Sequence, residues 1–174
     1  MTTTRDEQFR RYVLDRRADL LRTATLLTAG DRHLAEDLVQ ATLTRLYLAW
    51  PAFQQADNTR GYARRALVNA LTDEFRRPWR RRERSVADLP EYPSVEDGDG
   101  ARVEELNRAL AQLPPRMRAA LVFRYYRDLS VAETASALGC TQGTVKSQTA
   151  RALERLRTVL EPVAAPDESA LVAT

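Results

Sequence analysis

The 174-residue sequence has one cysteine (Cys140), one histidine (His33) and one lysine (Lys146). A single cysteine excludes an internal disulfide, and so few sulfur and imidazole groups give no cluster with zinc-ligand spacing. Paired carboxylates at a useful spacing, a Gly-rich phosphate loop and a His-based site are all missing, so no catalytic residue, metal or cofactor is expected. No apolar run approaches the roughly 18–20 residues of a membrane span. The start, Met1-Thr2-Thr3-Thr4-Arg5-Asp6-Glu7, lacks the apolar stretch of a secretion signal, which leads us to expect a cytoplasmic protein without membrane insertion. Aromatics are only 7%, which argues against a sheet protein.

Alanine, leucine and arginine dominate instead, all good helix formers, and they point to an all-α chain. With one lysine, the basic character rests on 26 arginines against 24 acids. Arginine forks onto phosphate and guanine edges, but a GC-rich coding genome also enriches it, so the total decides nothing. Its distribution says more. Residues 1–84 carry net +6, 85–105 net −6, 106–160 net +6 and 161–174 net −3.

Helical spacing of Phe9, Val13, Leu20, Ala24 and Leu27 predicts a first helix to about Thr28, interrupted by Gly30-Asp31. A second helix is expected from about His33 to Trp50, capped by Asp31 and ended by Pro51. After the polar loop Gln54 to Asn58, a third helix is expected from about Thr59 to Arg77, closed by Pro78. Residues 85–102 hold Pro90, Pro93, Gly98 and Gly100 among acids and read as a flexible acidic linker. A last unit follows from about Val103, with Val103, Leu106, Leu110 and Leu113 on one stripe, a Pro114-Pro115 break, and helices over 116–126, 131–138 and 141–160. The expected organisation is two small helical domains, 1–84 and 103–160, joined by the linker 85–102 and followed by a disordered tail, 161–174. Their relative orientation stays open.

Three surfaces stand out. The second helix has an apolar arc of roughly 220°, against about 100° for an ordinary surface helix. That arc either is buried by its own domain or is partly kept for another protein, with Asp37 and Gln40 at its edge. On the third helix, Tyr62, Arg65, Asn69, Thr72 and Arg76 are spaced 3, 4, 3 and 4 apart and form one polar row. An aromatic ring to stack on bases, guanidinium groups for phosphate and an amide to read a base edge suit nucleic acid, and Arg76, Arg77, Arg80, Arg81, Arg82 and Arg84 add a positive field. A solvated face with a basic terminus fits the same row. Finally, Ala135, Gly139 and Val145 have helix-turn-helix spacing: a small residue for close approach, a glycine for the left-handed turn, an aliphatic to pack back. Thr144, Ser147 and Arg151 then share the outer face of the last helix, with Gln142, Gly143 and Lys146 near its start, where a recognition helix meets DNA. A helical hairpin without a ligand is the bland alternative.

Four motifs, in this order, carry a family resemblance: Ala35-Glu36-Asp37-Leu38-Val39-Gln40, Arg60-Gly61-Tyr62-Ala63-Arg64-Arg65-Ala66-Leu67-Val68-Asn69, Leu113-Pro114-Pro115-Arg116 and Gly143-Thr144-Val145-Lys146-Ser147. Over residues 6–160 the chain resembles bacterial extracytoplasmic-function sigma factors, most of all the actinobacterial SigE-family branch. The resemblance implies a non-enzymatic initiation subunit that binds core RNA polymerase, confers promoter recognition and assists melting. It implies that Asp37, Gln40, Leu43 and Tyr47 face the clamp coiled coil of the β′ subunit. Asp57, Asn58, Tyr62, Arg65, Asn69, Thr72, Arg76 and Arg80 would take the unpaired strand of the minus-ten element. Gln142, Gly143, Thr144, Lys146, Ser147 and Arg151 would read the minus-35 duplex, while the upper helices of that unit dock on the β flap and the linker's acids enter the RNA path. An anti-sigma protein is left open as a further partner. Two departures stand beside it: Gln148 occupies a position that is often basic, and Tyr62, Phe75 and Trp79 form only a thin aromatic set. The competing classes are an operator-binding regulator, which has no need of the second basic unit, and a nuclease or nucleotidyl transferase, for which no site is visible.

Overall fold

A computed structural model describes residues 4–76 and 98–160, and it is helical throughout, with no strand among the described residues. Helix α1 spans Arg5–Leu27, α2 Arg32–Leu48, α3 Trp50–Gln55 and α4 Thr59–Arg76. The second unit comprises α5 (Gly98–Ala111), α6 (Pro115–Leu121), a π-helical turn (Val122–Tyr126), α7 (Val131–Leu138) and α8 (Gln142–Leu160). Residues 85–97 of the expected linker, the tail 161–174, and Arg77, Trp79, Arg80, Arg81, Arg82 and Arg84 lie outside the described residues.

Local chemistry explains the helix ends. Thr4 and Glu7 form a reciprocal capping box at the start of α1. At its end, the Thr28 hydroxyl donates to Ala24 O at 2.9 Å, and Ala29 and Gly30 take positive φ of 53° and 88° before Asp31 accepts from Leu34 N at 2.9 Å to start α2. Pro51 behaves differently from expectation: α2 already stops at Leu48, and Pro51 sits in the first turn of α3. A proline there loses nothing, because the first amides of a helix have no partner inside it. Gln54 and Gln55, expected in a loop, are therefore helical. Helix α5 begins five residues before Val103, in a stretch whose glycines leave no apolar stripe to see. Only the C-terminal part of its expected stripe is buried: Leu110 and Leu113 are covered, whereas Val103 and Leu106 are 56% and 41% exposed.

The two units pack directly on each other. One core joins Leu20, Ala24 and Leu27 of α1 and Leu38 and Val39 of α2 with Val68 and Leu71 of α4, and continues through Ala120 and Phe123 to Ala137 and Leu138 of α7. A second joins Ala29 to Leu110, Leu113, Met117, Leu121 and Ala152. A third, at the far end of the first unit, gathers Phe9, Tyr12, Trp50, Phe53 and Tyr62 into edge-to-face and stacked contacts with centroids 5.1–6.5 Å apart. Thus α4 is covered by α2 on one side and by α7 on the other.

Polar contacts stitch the same junction. Arg118, buried inside α6, donates to Leu110 O (2.9 Å), Leu113 O (3.0 Å) and Leu27 O (3.0 Å), so one guanidinium neutralises carbonyls at the ends of α1 and α5. Arg127, just after the π turn, makes a two-pronged contact with Asp19 of α1 at 2.6 and 2.8 Å. Neither residue was singled out from the sequence. Arg118 lies in the apolar run Met117-Arg118-Ala119-Ala120-Leu121, which was the available signal that its guanidinium is enclosed.

Candidate nucleic-acid interface

The helix-turn-helix geometry follows its residues closely. Ser130 and Glu133 form a capping box that starts α7, with Glu133 N donating to Ser130 Oγ at 3.0 Å and Ser130 N to Glu133 Oε2 at 2.8 Å. The Ser130 backbone N–H, then its hydroxyl, hold the Glu133 carboxyl below its ordinary range. Gly139 ends α7 with φ 62° and ψ 42°, the left-handed conformation the motif requires. Thr141 caps α8 by accepting from Thr144 N at 3.1 Å. Val145, Thr149 and Ala152 are buried and Leu156 half-buried, as the inward stripe predicts.

On the opposite side Gln142, Gly143, Lys146, Ser147 and Arg151 are exposed together. Thr144 is half-buried and its hydroxyl lies 2.9 Å from that of Thr141, so part of its bonding capacity goes to the helix start. The Ser147 hydroxyl likewise donates to Thr144 O at 3.0 Å. Cys140 is a half-buried packing residue of the turn, and His33 an exposed one at the start of α2.

The α4 row is arranged otherwise. Ala63, Ala66, Leu67, Ala70 and Leu71 are buried as expected, and Asn58, Tyr62, Arg65 and Asn69 line one cleft of about 550 Å³ with Arg45 and Ser136. Ser136 belongs to α7, and Arg65 Nη1 donates to its carbonyl at 2.5 Å. Arg65 also lies against Gly139: a Cβ built there would come within 3.2 Å of the guanidinium. Asn58 serves the start of α4, accepting from Gly61 N at 2.8 Å, and a Cβ on Gly61 would come within 2.8 Å of the Asn58 side-chain amide. Asp57 is exposed in the preceding turn. Thr72 bonds back to Val68 O at 2.9 Å, and Arg76 is exposed at the end of the row, both outside the cleft. The ring of Tyr62 packs edge-on to Phe53 at 5.6 Å, so it is the open end of the aromatic cluster rather than an isolated ring.

Most of the α2 arc serves the fold: Leu34, Ala35, Leu38, Val39 and Leu46 are buried. Asp37, Gln40 and Thr44 are exposed beside Leu48, which is 73% exposed, with Leu43 and Tyr47 half-buried at the margin. Tyr47 is engaged by α1: its hydroxyl donates to Asp6 Oδ1 at 2.7 Å, and the Arg5 guanidinium covers its ring at 4.4 Å from the centroid. The Asp6 bond pushes the phenol up from its ordinary pKa.

Among the described residues, no His, Cys, Asp and Glu group could hold a metal ion, and no helix is long and apolar enough to cross a membrane.

Comparison with known proteins matches residues 13–81 to the family described as sigma-70 region 2 and residues 103–156 to sigma-70, region 4. The RNA polymerase sigma-E factor of Streptomyces coelicolor is 37% identical over 155 residues, which cover 86% of this chain and 84% of that protein. The ECF RNA polymerase sigma factor SigM of Mycobacterium tuberculosis is 34% identical over 158 residues, covering 89% and 76%. In fold, the chain is similar to the sigma factor RpoE of Bartonella quintana, solved in complex with the anti-sigma factor NepR (TM-score 0.73, 24% identity, 89% of this chain and 98% of that one). It is also similar to CnrH, solved with the cytosolic domain of CnrY (TM-score 0.62, 21% identity, 87% and 86%).

Proposed function

Because the chain belongs to the extracytoplasmic-function RNA polymerase sigma factors, we propose that its three polar surfaces divide the work of promoter recognition by core polymerase. The observation that carries this reading is the exposed row on α8. Gln142, Gly143, Lys146, Ser147 and Arg151 look outward from a helix whose other side is locked into the motif. That row enters the major groove of the minus-35 element, with Lys146 on phosphate and Arg151 at a phosphate or a guanine edge.

Residues 1–84 form the unit that binds core polymerase and the minus-ten element. Asp37, Gln40, Leu43 and Tyr47 meet the β′ clamp; the exposed Leu48 beside them gives that surface an apolar centre. Asp57, Asn58, Tyr62, Arg65, Asn69, Thr72, Arg76 and Arg80 take the separated non-template strand, with Tyr62 as stacking platform at the end of the aromatic cluster. Residues 103–160 add the β-flap contact through the exposed apolar side of α5. Since Ser136 of α7 takes the hydrogen bond of Arg65 and shares the cleft of Tyr62 and Asn69, full strand capture requires the two units to part, and polymerase holds them apart. The protein supplies no nucleotide chemistry; it selects the promoter and assists its opening in the cytoplasm, and an anti-sigma protein is a further partner of the form in which the two units pack together.

In vitro transcription with core polymerase on genomic DNA, with start sites mapped, tests the whole reading: start sites sharing two spaced elements are expected, and silence on every template would end it. Asp37→Arg should abolish co-purification with core polymerase while leaving duplex binding by α8 intact. Undiminished assembly would remove the α2 surface from the account.

A further inference from the structure

Away from the three surfaces, α1, α4 and the segment after the π turn enclose a cleft of about 700 Å³ whose charge is unusual. Six arginines line it, Arg11, Arg16, Arg22, Arg60, Arg64 and Arg127, against two aspartates, Asp15 and Asp19. Asp19 is already saturated, since Arg127 grips both its oxygens and Arg22 stands 3.5 Å away. Arg11, Arg16 and Arg60 form no ion pair with a carboxylate among the described residues. Six cations with so little compensation repel one another, at a place where the protein gains nothing from the repulsion by itself.

Arg64 shows the strain most directly. Its Nε is shut off from solvent and has no hydrogen-bond partner among the described residues. Burial lowers its basicity and the nearby Arg127 and Arg60 charges push the same way, more than offsetting the Glu133 and Asp19 carboxylates that oppose them. A donor left in that condition is costly, and an anion held in the cleft would relieve the cation repulsion around this side chain. The walls come from both units, with Arg127 from the second and the other five arginines from the first. The half-buried Tyr12 adds aromatic surface to the lining.

We propose that this cleft binds a small polyphosphate-bearing anion of nucleotide size, whose phosphates bridge the arginines of α1 and α4 to Arg127 and hold the two units closed. A volume of about 700 Å³ is within the range of small-molecule sites. Planar guanidinium forks on several sides suit a chain of phosphates better than a single monovalent anion. The proposal is independent of the promoter-recognition reading, because neither its ligand nor its residues are shared with the three surfaces.

The test is calorimetric titration of the full chain with inorganic triphosphate at fixed ionic strength, repeated with a nucleoside triphosphate and with a single-stranded oligonucleotide. Saturable triphosphate binding is expected, weakened at least tenfold by Arg60→Gln and by Arg64→Gln, and tightened severalfold by Asp15→Asn, a gain that mere damage to the fold would not give. Arg155→Gln, on the exposed part of α8, should leave it unchanged. Tighter binding of the nucleoside triphosphate than of inorganic triphosphate would bring the Tyr12 ring into the site. Binding by the oligonucleotide alone, or loss shared equally by Arg155→Gln, would overturn the proposal. With triphosphate bound, amide exchange along α7 should slow several-fold; unchanged exchange would overturn the bridging role.

Discussion

Two helices carry rows of polar residues on faces that look alike in sequence, and the molecule treats them in opposite ways. On α8, the buried stripe of Val145, Thr149 and Ala152 faces its own unit and the polar row looks into solvent. On α4, the buried residues join a core shared with α2 and α7, and the polar row borders α7 at one point, where Arg65 spends a hydrogen bond on the Ser136 carbonyl while Asn69 and Arg76 stay exposed. Helical period sets which residues share a face. How much of that face stays open is decided by tertiary packing, and the two polar rows of one chain are in different states.

The comparison can be broken at the junction itself. Arg118→Met removes the cation that joins the carbonyls of Leu27, Leu110 and Leu113. Leaving such groups unpaired costs about 3 kcal/mol, which for a chain of this size is roughly a 6–12 °C fall in melting temperature by calorimetry. Next in size is Ala137→Glu, which drives a carboxylate into the α4–α7 contact at a cost of about 2–3 kcal/mol. Here binding of a single-stranded minus-ten oligonucleotide should increase while minus-35 duplex binding stays the same. If strand affinity is unchanged, α7 does not obstruct the row.

A smaller effect is expected from the Asp19–Arg127 contact, about 1 kcal/mol for a partly exposed pair. The Arg127 hydrogen bond, more than counteracting burial, holds the Asp19 carboxyl below its ordinary range. A depressed carboxylate stabilises the fold above its unfolded pKa and loses that effect as the acid side is entered. The melting difference between the wild type and Asp19→Asn should therefore be constant from pH 8 to 5 and shrink below about pH 4. A difference that grew on acidification would mean the contact is not carried by the carboxylate. The smallest change in the fold is expected on the open row: Lys146→Ala should leave the melting temperature within about 1–2 °C, weaken minus-35 duplex binding severalfold and lower the salt dependence by about one phosphate contact. If weakening of strand binding accompanies it, the two rows are not separate surfaces.

Much of this was legible because it is local. The spacing of Ala135, Gly139 and Val145 carried the turn, its left-handed glycine and the buried stripe of α8, all of which depend on residues within one hairpin. The α4 row was legible for the same reason. Pro51 was misread because a proline signals a helix boundary without saying on which side the helix lies. The junction was illegible: Arg127 and Asp19 stand 108 positions apart, and no periodicity links them. Thr144 and Asn58 were assigned to DNA by position, and their side chains also serve helix starts, a use that two neighbouring residues hide until the backbone is folded.

The core that runs from Leu20 through Val68 to Leu138 has one more consequence. If only the parted form captures the strand, the apparent affinity for an open promoter is the intrinsic affinity multiplied by the fraction of molecules that are parted, so a closed form favoured a hundredfold weakens it about a hundredfold. Residues that never touch DNA, such as Val68, Ala137 or Leu138, then set the threshold at which the protein responds to polymerase, and packing in this core becomes a dial for promoter occupancy.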